Sequence, residues 1–500
     1  MSPYDHTGDL TSSVGAVVPA ARWAIGAGAL GGGHYPRRVI PERFRPLLDE
    51  TAWLAERFAA AGHALYLVGG VVRDALLDRL GPSPDIDLTT DARPPEIKRL
   101  VRSGADALWD QGERFGTIGL EKDGRRIEIT THRAEAYSPD SRKPDVAFAD
   151  AVEVDLSRRD FTVNAMALRL PDLELIDPFG GAADLYASRL RTPLAPEESF
   201  TDDPLRMLRA ARFIAGFSMV PDAEVTKAVE VLGERLSIVS AERVRDELDK
   251  LIMVEQPTFG LRFLVQTGLA DQFLPELAGL ALQQDPVHRH KDVLEHTFAV
   301  VEKTDPANRI VRLAALFHDV GKPRTRAFGP GGVSFHHHEV VGARMTRDRM
   351  RALRYSNDDI AAVTRLVELH LRFHGYRDGD GGWTDSAVRR YVRDAGPLLR
   401  ELNELTRCDC TTRNIAKAKG LARRMDELEE RIDRLEEEEH VKALRPDIDG
   451  QRVMAHLGIP PGPAVGQALA FLLELRIDEG PLGEEEALRR LDAWWAARPA

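Results

Sequence analysis

The sequence predicts a protein of class α/β plus α: a mixed-sheet N-terminal unit followed by a helical remainder. Three observations point there. Short apolar or alternating runs, bounded by glycines and an Asp-Gly pair, crowd the stretch from Ala64 to Thr131. Beyond about residue 190, apolar residues recur at helical spacing with few interruptions. A length of 500 residues, 43% hydrophobic and 30% charged, is globular and large enough for several cores.

Residues 1–35 are rich in Gly, Ala and Ser and end in Gly31-Gly32-Gly33. The mildly apolar run from Val14 to Leu30 is broken by Pro19 and Arg22 and has no basic segment before it, so it fits neither a secretory signal nor a membrane span. It reads as a disordered extension. No later run is long and apolar enough to cross a bilayer, so the expectation is a cytoplasmic protein that makes no membrane contact.

The first ordered unit spans residues 36–190. Phe44, Leu47, Leu48, Leu54 and Phe58 mark a helix between Pro41 and Ala61. Ala64 to Val68 reads as a buried strand stopped by Gly69-Gly70, and a helix follows from Val71 to Leu80. Asp85-Ile86-Asp87-Leu88 alternates as a half-buried strand does. Thr117–Leu120 and Arg126–Thr131 are two further strands, joined by an Asp123-Gly124 hairpin turn.

Residues 191–280 form a helical neck in which Asp203-Pro204 supplies an N-cap and first turn. Residues 281–415 are helix-rich and histidine-rich. In the tail, residues 416–500, Met425 to His440 is a very acidic helix, read as a solvated face. Pro446 to Ala500 is a further helical unit, with loop chemistry from Gly458 to Pro463. Cys408 and Cys410, the two cysteines, allow no disulfide framework and read as reduced thiols.

Chemistry concentrates in three motifs. In the first, Leu67-Val68-Gly69-Gly70-Val71-Val72-Arg73-Asp74, paired glycines end a strand and open a helix. Without a Cβ the backbone of Gly69 and Gly70 admits a phosphate closely, and Arg73 on the first turn can add charge-assisted bonds to a triphosphate. Asp85 and Asp87 then project from one face of a strand. Two carboxylates there suit Mg²⁺, which takes oxygen ligands and keeps waters for phosphate exchange. Glu128 on a neighbouring strand is a third candidate carboxylate. An Asp-x-Asp alone is more often a solvent-facing edge; the glycine turn beside it favours function.

The second motif, Arg158-Arg159-Asp160-Phe161-Thr162-Val163-Asn164-Ala165, offers four polar groups to ribose and phosphates, with Phe161 and Val163 packing inward. Read blandly, it is an amphipathic helix start with an Arg–Asp pair. The third motif, Asp202-Asp203-Pro204-Leu205-Arg206, continues to Arg209 and Arg212, all three arginines on one helical side. A solvated basic stripe is the plain alternative. The functional reading is base selection: a carboxylate accepts from the exocyclic amine of C or A, and a guanidinium donates to the adjacent ring nitrogen. U and G present the opposite pattern, so Asp203 and Arg206 together would admit CTP and ATP and reject UTP and GTP. The formal net charge of −12 means that any RNA contact must come from local arginine patches.

These motifs, in this order, resemble the class II tRNA nucleotidyltransferases of the polymerase-β superfamily. So do Asp177-Pro178-Phe179-Gly180-Gly181 and Glu242-Arg243-Val244-Arg245-Asp246-Glu247-Leu248. The resemblance covers roughly residues 60 to 280, and Asp202 stands where the family usually has Glu. It implies that Gly70 and Arg73 contact nucleotide phosphates and that Asp85 and Asp87 bind Mg²⁺. Arg159, Asp203, Arg206, Arg209 and Arg212 would line the nucleotide pocket, with Gly69 and Asp160 completing it and Glu128 assisting catalysis. The implied reaction adds C and A to the 3′ end of tRNA from CTP and ATP, releasing pyrophosphate. The strand from Arg125 lacks the Gly-Arg-Arg-Phe run associated with bacterial poly(A) polymerases, and no strongly basic tail follows, which favours CCA addition over poly(A) or partial (A-only or CC-only) addition.

A second constellation resembles the HD family of metal-dependent phosphohydrolases. The resemblance implies that His296, His318, Asp319 and Asp409 bind one metal, with His338 and His370 as further ligands. Imidazole with carboxylate suits a second divalent ion of transition type better than magnesium. His288, His290, His336, His337 and His374 read as surface or loop histidines or RNA contacts. The rival of another class is an HD phosphohydrolase acting on nucleotides or RNA ends, with the N-terminal unit a degraded binding module. A non-catalytic RNA chaperone would not require paired carboxylates beside a phosphate site.

Overall fold

A computed structural model describes residues 44–136, 145–281, 292–329, 332–376, 383–411, 414–439 and 445–498. The expected N-terminal extension, His288, His290 and His440 lie outside the described residues.

The N-terminal palm is built on strands β1 (Leu65–Val68), β2 (Ile86–Thr90), β3 (Ala107–Trp109), β4 (Thr117–Lys122) and β5 (Arg125–Thr131). A hairpin of β6 (Arg133–Ala136) and β7 (Asp145–Phe148) follows, then β8 (Ala167–Arg169) and β9 (Glu174–Ile176). Seven strands share one sheet in the order β3-β4-β5-β2-β1-β8-β9. Within it only β2 and β5 are parallel, so the sheet is mixed as expected. The β4–β5 turn is a two-residue link with Asp123 at φ 51° and Gly124 at φ 75°, the left-handed pair that matches strand twist.

Strand alternation does the sorting. Ile86, Leu88, Ile127 and Ile129 are buried, while Asp85, Asp87 and Glu128 between them face solvent. Helices α1 (Arg45–Ala60), α2 (Gly70–Leu76) and α3 (Pro94–Val101) cover the buried face. Helix α2 is shorter than expected, because the chain turns at Asp78, held at φ 57°, before Pro82 and Pro84. On the other face α4 (Val152–Ser157) closes a small core of Val68, Val152, Leu156, Ala165 and Ala167. Helix α5 (Gly181–Tyr186) is capped by Asp177, whose carboxylate accepts from Gly181 and Ala182 N–H at 2.6 and 3.0 Å.

The neck comprises α6 (Pro196–Asp202), α7 (Leu205–Phe217), α8 (Ala223–Leu232), α9 (Ala241–Ile252), α10 (Thr258–Gln266) and α11 (Pro275–Ala278), with a short pair β10 (Arg189–Leu190) and β11 (Val220–Pro221). Asp203 does cap α7: its Oδ1 accepts from Leu205 N–H at 3.1 Å. Next come α12 (Val293–Lys303), α13 (Arg309–Phe317), α14 (Lys322–Thr325), a hairpin β12 (Ala327–Gly329) and β13 (Gly332–Ser334), then α15 (His338–Ala352), α16 (Asn357–Leu369), α17 (Asp385–Ala395) and α18 (Leu399–Asp409). One hydrophobic core runs continuously from Phe44 through the neck into this region.

Helix α19 (Ile415–Glu439) is more than a solvated face. Its Met425, Leu428, Ile432 and Leu435, spaced three and four apart, join the main core. The tail helices α20 (Gly450–Leu457), α21 (Pro463–Glu479) and α22 (Glu484–Ala496) have a small core of their own around Val453, Val465, Leu472 and Leu491. No helix among the described residues is long and apolar enough to cross a membrane.

Candidate active site

A cleft of about 540 Å³ opens between the palm sheet and the first neck helices. Gly69 forms its sharp corner at φ 75°, ψ −135°, and a Cβ there would sit 2.9 Å from Arg159 Nη1 and 3.9 Å from Asp87 Oδ2. The glycine is required by its backbone, and a side chain there would also displace the Arg159 guanidinium. Asp87 pairs in register with Glu128 across the parallel β2–β5 ladder, and Asp85 lies one residue before β2 on the same exposed face. Loss of solvent raises the Asp87 carboxyl; Arg159 pulls it down, and the charges of Glu128 and Asp85 push it up further. Of the three expected carboxylates, Asp87 lines the cleft, while Asp85 and Glu128 stand off its lining and act on Asp87 as like charges.

The second motif builds the opposite wall. Asp160 is buried and fully engaged: Oδ1 accepts from Phe161 N–H and Asn164 Nδ2, both at 2.9 Å, and Oδ2 accepts from Arg209 Nε at 2.8 Å and Nη2 at 2.5 Å. Burial would raise this carboxyl, but Arg209 and Asn164 hold it at about 2. Arg159 donates to Asp155 at 3.1 Å. Gly181, from the capped turn of α5, packs beneath the motif so closely that a Cβ would lie 2.1 Å from Thr162 O.

Two expected contacts are arranged differently. Arg73 is buried away from the cleft lining. Its guanidinium grips Asp74 at 2.9 and 3.0 Å and Asn164 Oδ1 at 2.6 Å, and stacks on Phe217 at 4.3 Å. Arg212 is likewise off the lining, its Nε on Glu247 Oε2 at 2.8 Å. Both sit behind residues that do line the cleft, Asn164 and Arg209. Asp203 and Arg206 both reach the cleft but are not paired to each other. Asp203 Oδ2 accepts from Arg243 at 2.9 Å, and Arg206 donates to Ser199 Oγ at 2.8 Å and to the Arg158 carbonyl. The cleft also takes in Arg133, Asp155, Arg158, Asn164, Leu205 and Arg243. Arg158, Asn164 and Arg243 stood inside quoted motifs. Arg133 and Asp155 carry no local signal and arrive through the β6 hairpin and α4.

The second cluster lies between α12, α13, α15, α16 and α18. Each histidine ring is oriented through its Nδ1: His318 to Ala315 O at 2.7 Å, His338 to Phe335 O at 2.8 Å, His370 to Val367 O at 2.6 Å, and His296 to Thr411 Oγ1 at 2.7 Å. The Nε2 atoms therefore converge. Ligand atoms of His296, His318 and Asp319 lie within 4.8 Å of one another, as do those of Asp319, His338 and His370, so Asp319 is common to both sets. Asp409 Oδ1 is 2.9 Å from His296 Nε2. Among the described residues buried His370 Nε2 has no hydrogen-bond partner, a costly state that a bound cation would relieve, and His338 Nε2 lies 3.4 Å from Asp319 Oδ1. Burial pushes His370 down to about 3, keeping its lone pair available. Burial would raise Asp319, but His318, His338 and Lys322 hold it well below the usual carboxylate range.

All six expected residues are thus brought together. Two others join them: Lys322, whose Nζ is 2.6 Å from Asp319 Oδ2, and His374, 3.8 Å from Asp409. His374 was read as a surface histidine. Its ring is more than half exposed but lines the cavity of about 280 Å³ in front of the cluster.

Comparison with known proteins agrees with this geometry. Residues 65–191 match the Poly A polymerase head domain, residues 218–280 the probable RNA and SrmB-binding site of polymerase A, and residues 291–436 the HD domain. The A-adding tRNA nucleotidyltransferase of Deinococcus radiodurans is 36% identical over 359 residues, 69% of this chain and 80% of that protein. The CCA-adding enzyme of Latilactobacillus sakei is 39% identical over 246 residues, 48% of this chain and 59% of that protein. The fold is that of the Bacillus stearothermophilus CCA-adding enzyme solved with CTP, at a TM-score of 0.67 and 23% identity, over 92% of this chain and 99% of that one. With the cleft, the motif order and these relatives in agreement, the chain belongs to the class II tRNA nucleotidyltransferase family of the polymerase-β superfamily, with an HD domain attached.

Proposed function

We propose that the cleft adds C and A to the 3′ end of tRNA without a template, using CTP and ATP and releasing pyrophosphate. The observation that carries this is Asp87, beside the Gly69-Gly70 turn in a cleft walled by Arg158, Arg159, Arg206 and Arg209, with Asp85 and Glu128 on the same face of the paired strands. The carboxylates would hold Mg²⁺, which when bound supplies charge stabilisation at the reacting phosphate. Gly69 and Gly70 leave room for the triphosphate. Arg159, set by Asp155, and Arg209, set by Asp160, offer positive charge toward it. Asp203, held between Leu205 N–H and Arg243, presents a fixed acceptor for the exocyclic amine of C or A, and Arg206 lies one helical turn on.

The test is incorporation on a tRNA lacking its 3′ end, with each nucleoside triphosphate alone and with CTP and ATP together. Full CCA requires both, and UTP and GTP are rejected. Asp87→Ala is expected to lower transfer by at least about a thousandfold while melting like the parent; near-normal rates in that variant would refute the metal site. A-only addition is the second reading, since the Deinococcus relative matched over most of this chain is A-adding. In that case a tRNA already ending in CC is extended and one lacking CC is not.

The HD cluster is proposed to hold a divalent transition metal and to act as a phosphohydrolase on nucleotides or RNA ends. Wild-type protein stripped of loosely held ions should retain that metal, and His318→Ala should lose it. Absence of a tightly held transition metal from the wild type would count against the assignment. Phosphodiester hydrolysis that survives Asp87→Ala but not Asp319→Ala would place the second activity here.

A further inference from the structure

Helix α15 starts at His338 of the HD cluster, and the chain leaving its other end docks on the neck. Arg349 bonds Glu276 at 2.8 and 3.1 Å, Tyr355 Oη donates to Asp249 at 2.6 Å, and Arg245 of α9 donates to the Arg354 carbonyl. Two residues before Arg245 on α9, Arg243 lines the cleft. The 15 residues of α15, at about 1.5 Å each, therefore run roughly 22 Å from the HD cluster to the neck helix that also carries Arg243.

The solvent side of this helix carries Arg344, Arg347 and Arg351, with Arg354 two residues past its end. Steps of three and four residues put Arg344, Arg347 and Arg351 in one row, and Arg354 follows past the helix end at φ 61°. All four are exposed, and none has an ion pair or side-chain hydrogen bond to a described residue. The neighbouring Arg243, Arg262, Arg309 and Arg349 are, by contrast, each held by a carboxylate. Asp348 is the one acidic residue between Val340 and Arg354. Like charges at these spacings destabilise a helix, so the row is maintained at a cost that a polyanion would remove. A membrane is the poorer partner, because Ala343 and Met350 face the core and Val340 is the one large apolar side chain that α15 exposes, too little to insert.

We infer that this arginine row is a track for the phosphate backbone of the RNA substrate, holding its stem while the 3′ end enters the cleft. The inference rests on the tRNA-extending reading above. Contacts of this kind set position and affinity without reading sequence.

The test uses the full-length protein with Arg344→Ala, Arg347→Ala and Arg351→Ala combined, and the same three positions changed to Lys. The alanine triple should raise KM for trimmed tRNA by about tenfold or more, and should flatten the dependence of log affinity on log salt by about 2 to 3. Its KM for CTP and its kcat at saturating tRNA should stay within about twofold of the parent, and the lysine triple should recover most of the affinity. An unchanged tRNA KM and salt slope in the alanine triple would overturn the track, as would a lysine triple as weak as the alanine one. Loss of binding to phosphatidylserine vesicles with tRNA binding intact would also overturn it and give the face to a membrane. Those outcomes leave tRNA extension by the parent protein standing; a parent protein that extends no tRNA would sink both readings.

Discussion

Asp160 shows how one residue couples two parts of the molecule. It leaves the palm motif to bind Arg209 on α7, and Arg73 reaches it indirectly through Asn164. Its carboxyl stands at about 2 in the folded protein against the usual 3.8. A folded-state value below the unfolded one adds stability at pH above the unfolded value, and that stability is lost as pH falls through the folded value. The difference corresponds to about 2 kcal/mol at neutral pH. Asp160→Asn should therefore weaken the protein at pH 7 in urea melts. It should also reduce, by about 2 kcal/mol, the stability loss that the parent shows between about pH 4 and pH 2, the rest belonging to other depressed carboxylates such as Asp319. An Asn variant whose stability falls over that window as steeply as the parent's would contradict this role.

Among the elements, the crossing of α15 under the start of α14 decides whether the HD cluster exists. Gly321 permits it: a Cβ there would come within 2.1 Å of His338 O and 2.7 Å of Gly342 N. Both contacts are backbone, so no side chain can swing aside. Gly321→Ala must push α15 outward, carrying His338 away from Asp319. We expect a loss of about 1 to 3 kcal/mol in stability and a marked fall in transition-metal content. Nucleotide incorporation by the palm should persist. Metal analysis alongside the incorporation assay checks this, and full metal retention in the Ala variant would refute it.

For the whole molecule, the joint between neck and HD region rests on Arg312. It is fully buried on α13 and donates to the carbonyls of Ile252 and Val254 at the end of α9 and, at 3.0 Å, to that of Thr304. Burial lowers the guanidinium's pKa, yet three carbonyls share its charge. Arg312→Leu would orphan all three, at about 1 to 3 kcal/mol each. Calorimetry should then show a lower Tm, with the HD region melting apart from the palm and neck. A single transition at the parent temperature would show that the apolar core and the other cross-joint contacts, such as Arg349–Glu276 and Tyr355–Asp249, bind the two without Arg312.

What the sequence determined by itself was local. Alternation put Asp85, Asp87 and Glu128 opposite Ile86, Leu88 and Ile127, because a strand's period of two leaves no other choice once one face is buried. Asp123-Gly124 declared its hairpin, because few residue pairs tolerate two left-handed positions. Tertiary structure alone decided which charges face the ligand. Arg73 and Arg212 look like ligand arginines in sequence, but their partners Asn164 and Glu247 stand 91 and 35 residues away and draw them inside. Arg133, Asp155 and His374 enter their sites only because distant helices and a hairpin close on them, whereas Lys322 comes with Asp319 three residues before it. The physical reason is that a guanidinium or imidazole takes the nearest acceptor in space. Spacing along the chain sets the face on which a side chain starts, and packing sets the partner it meets.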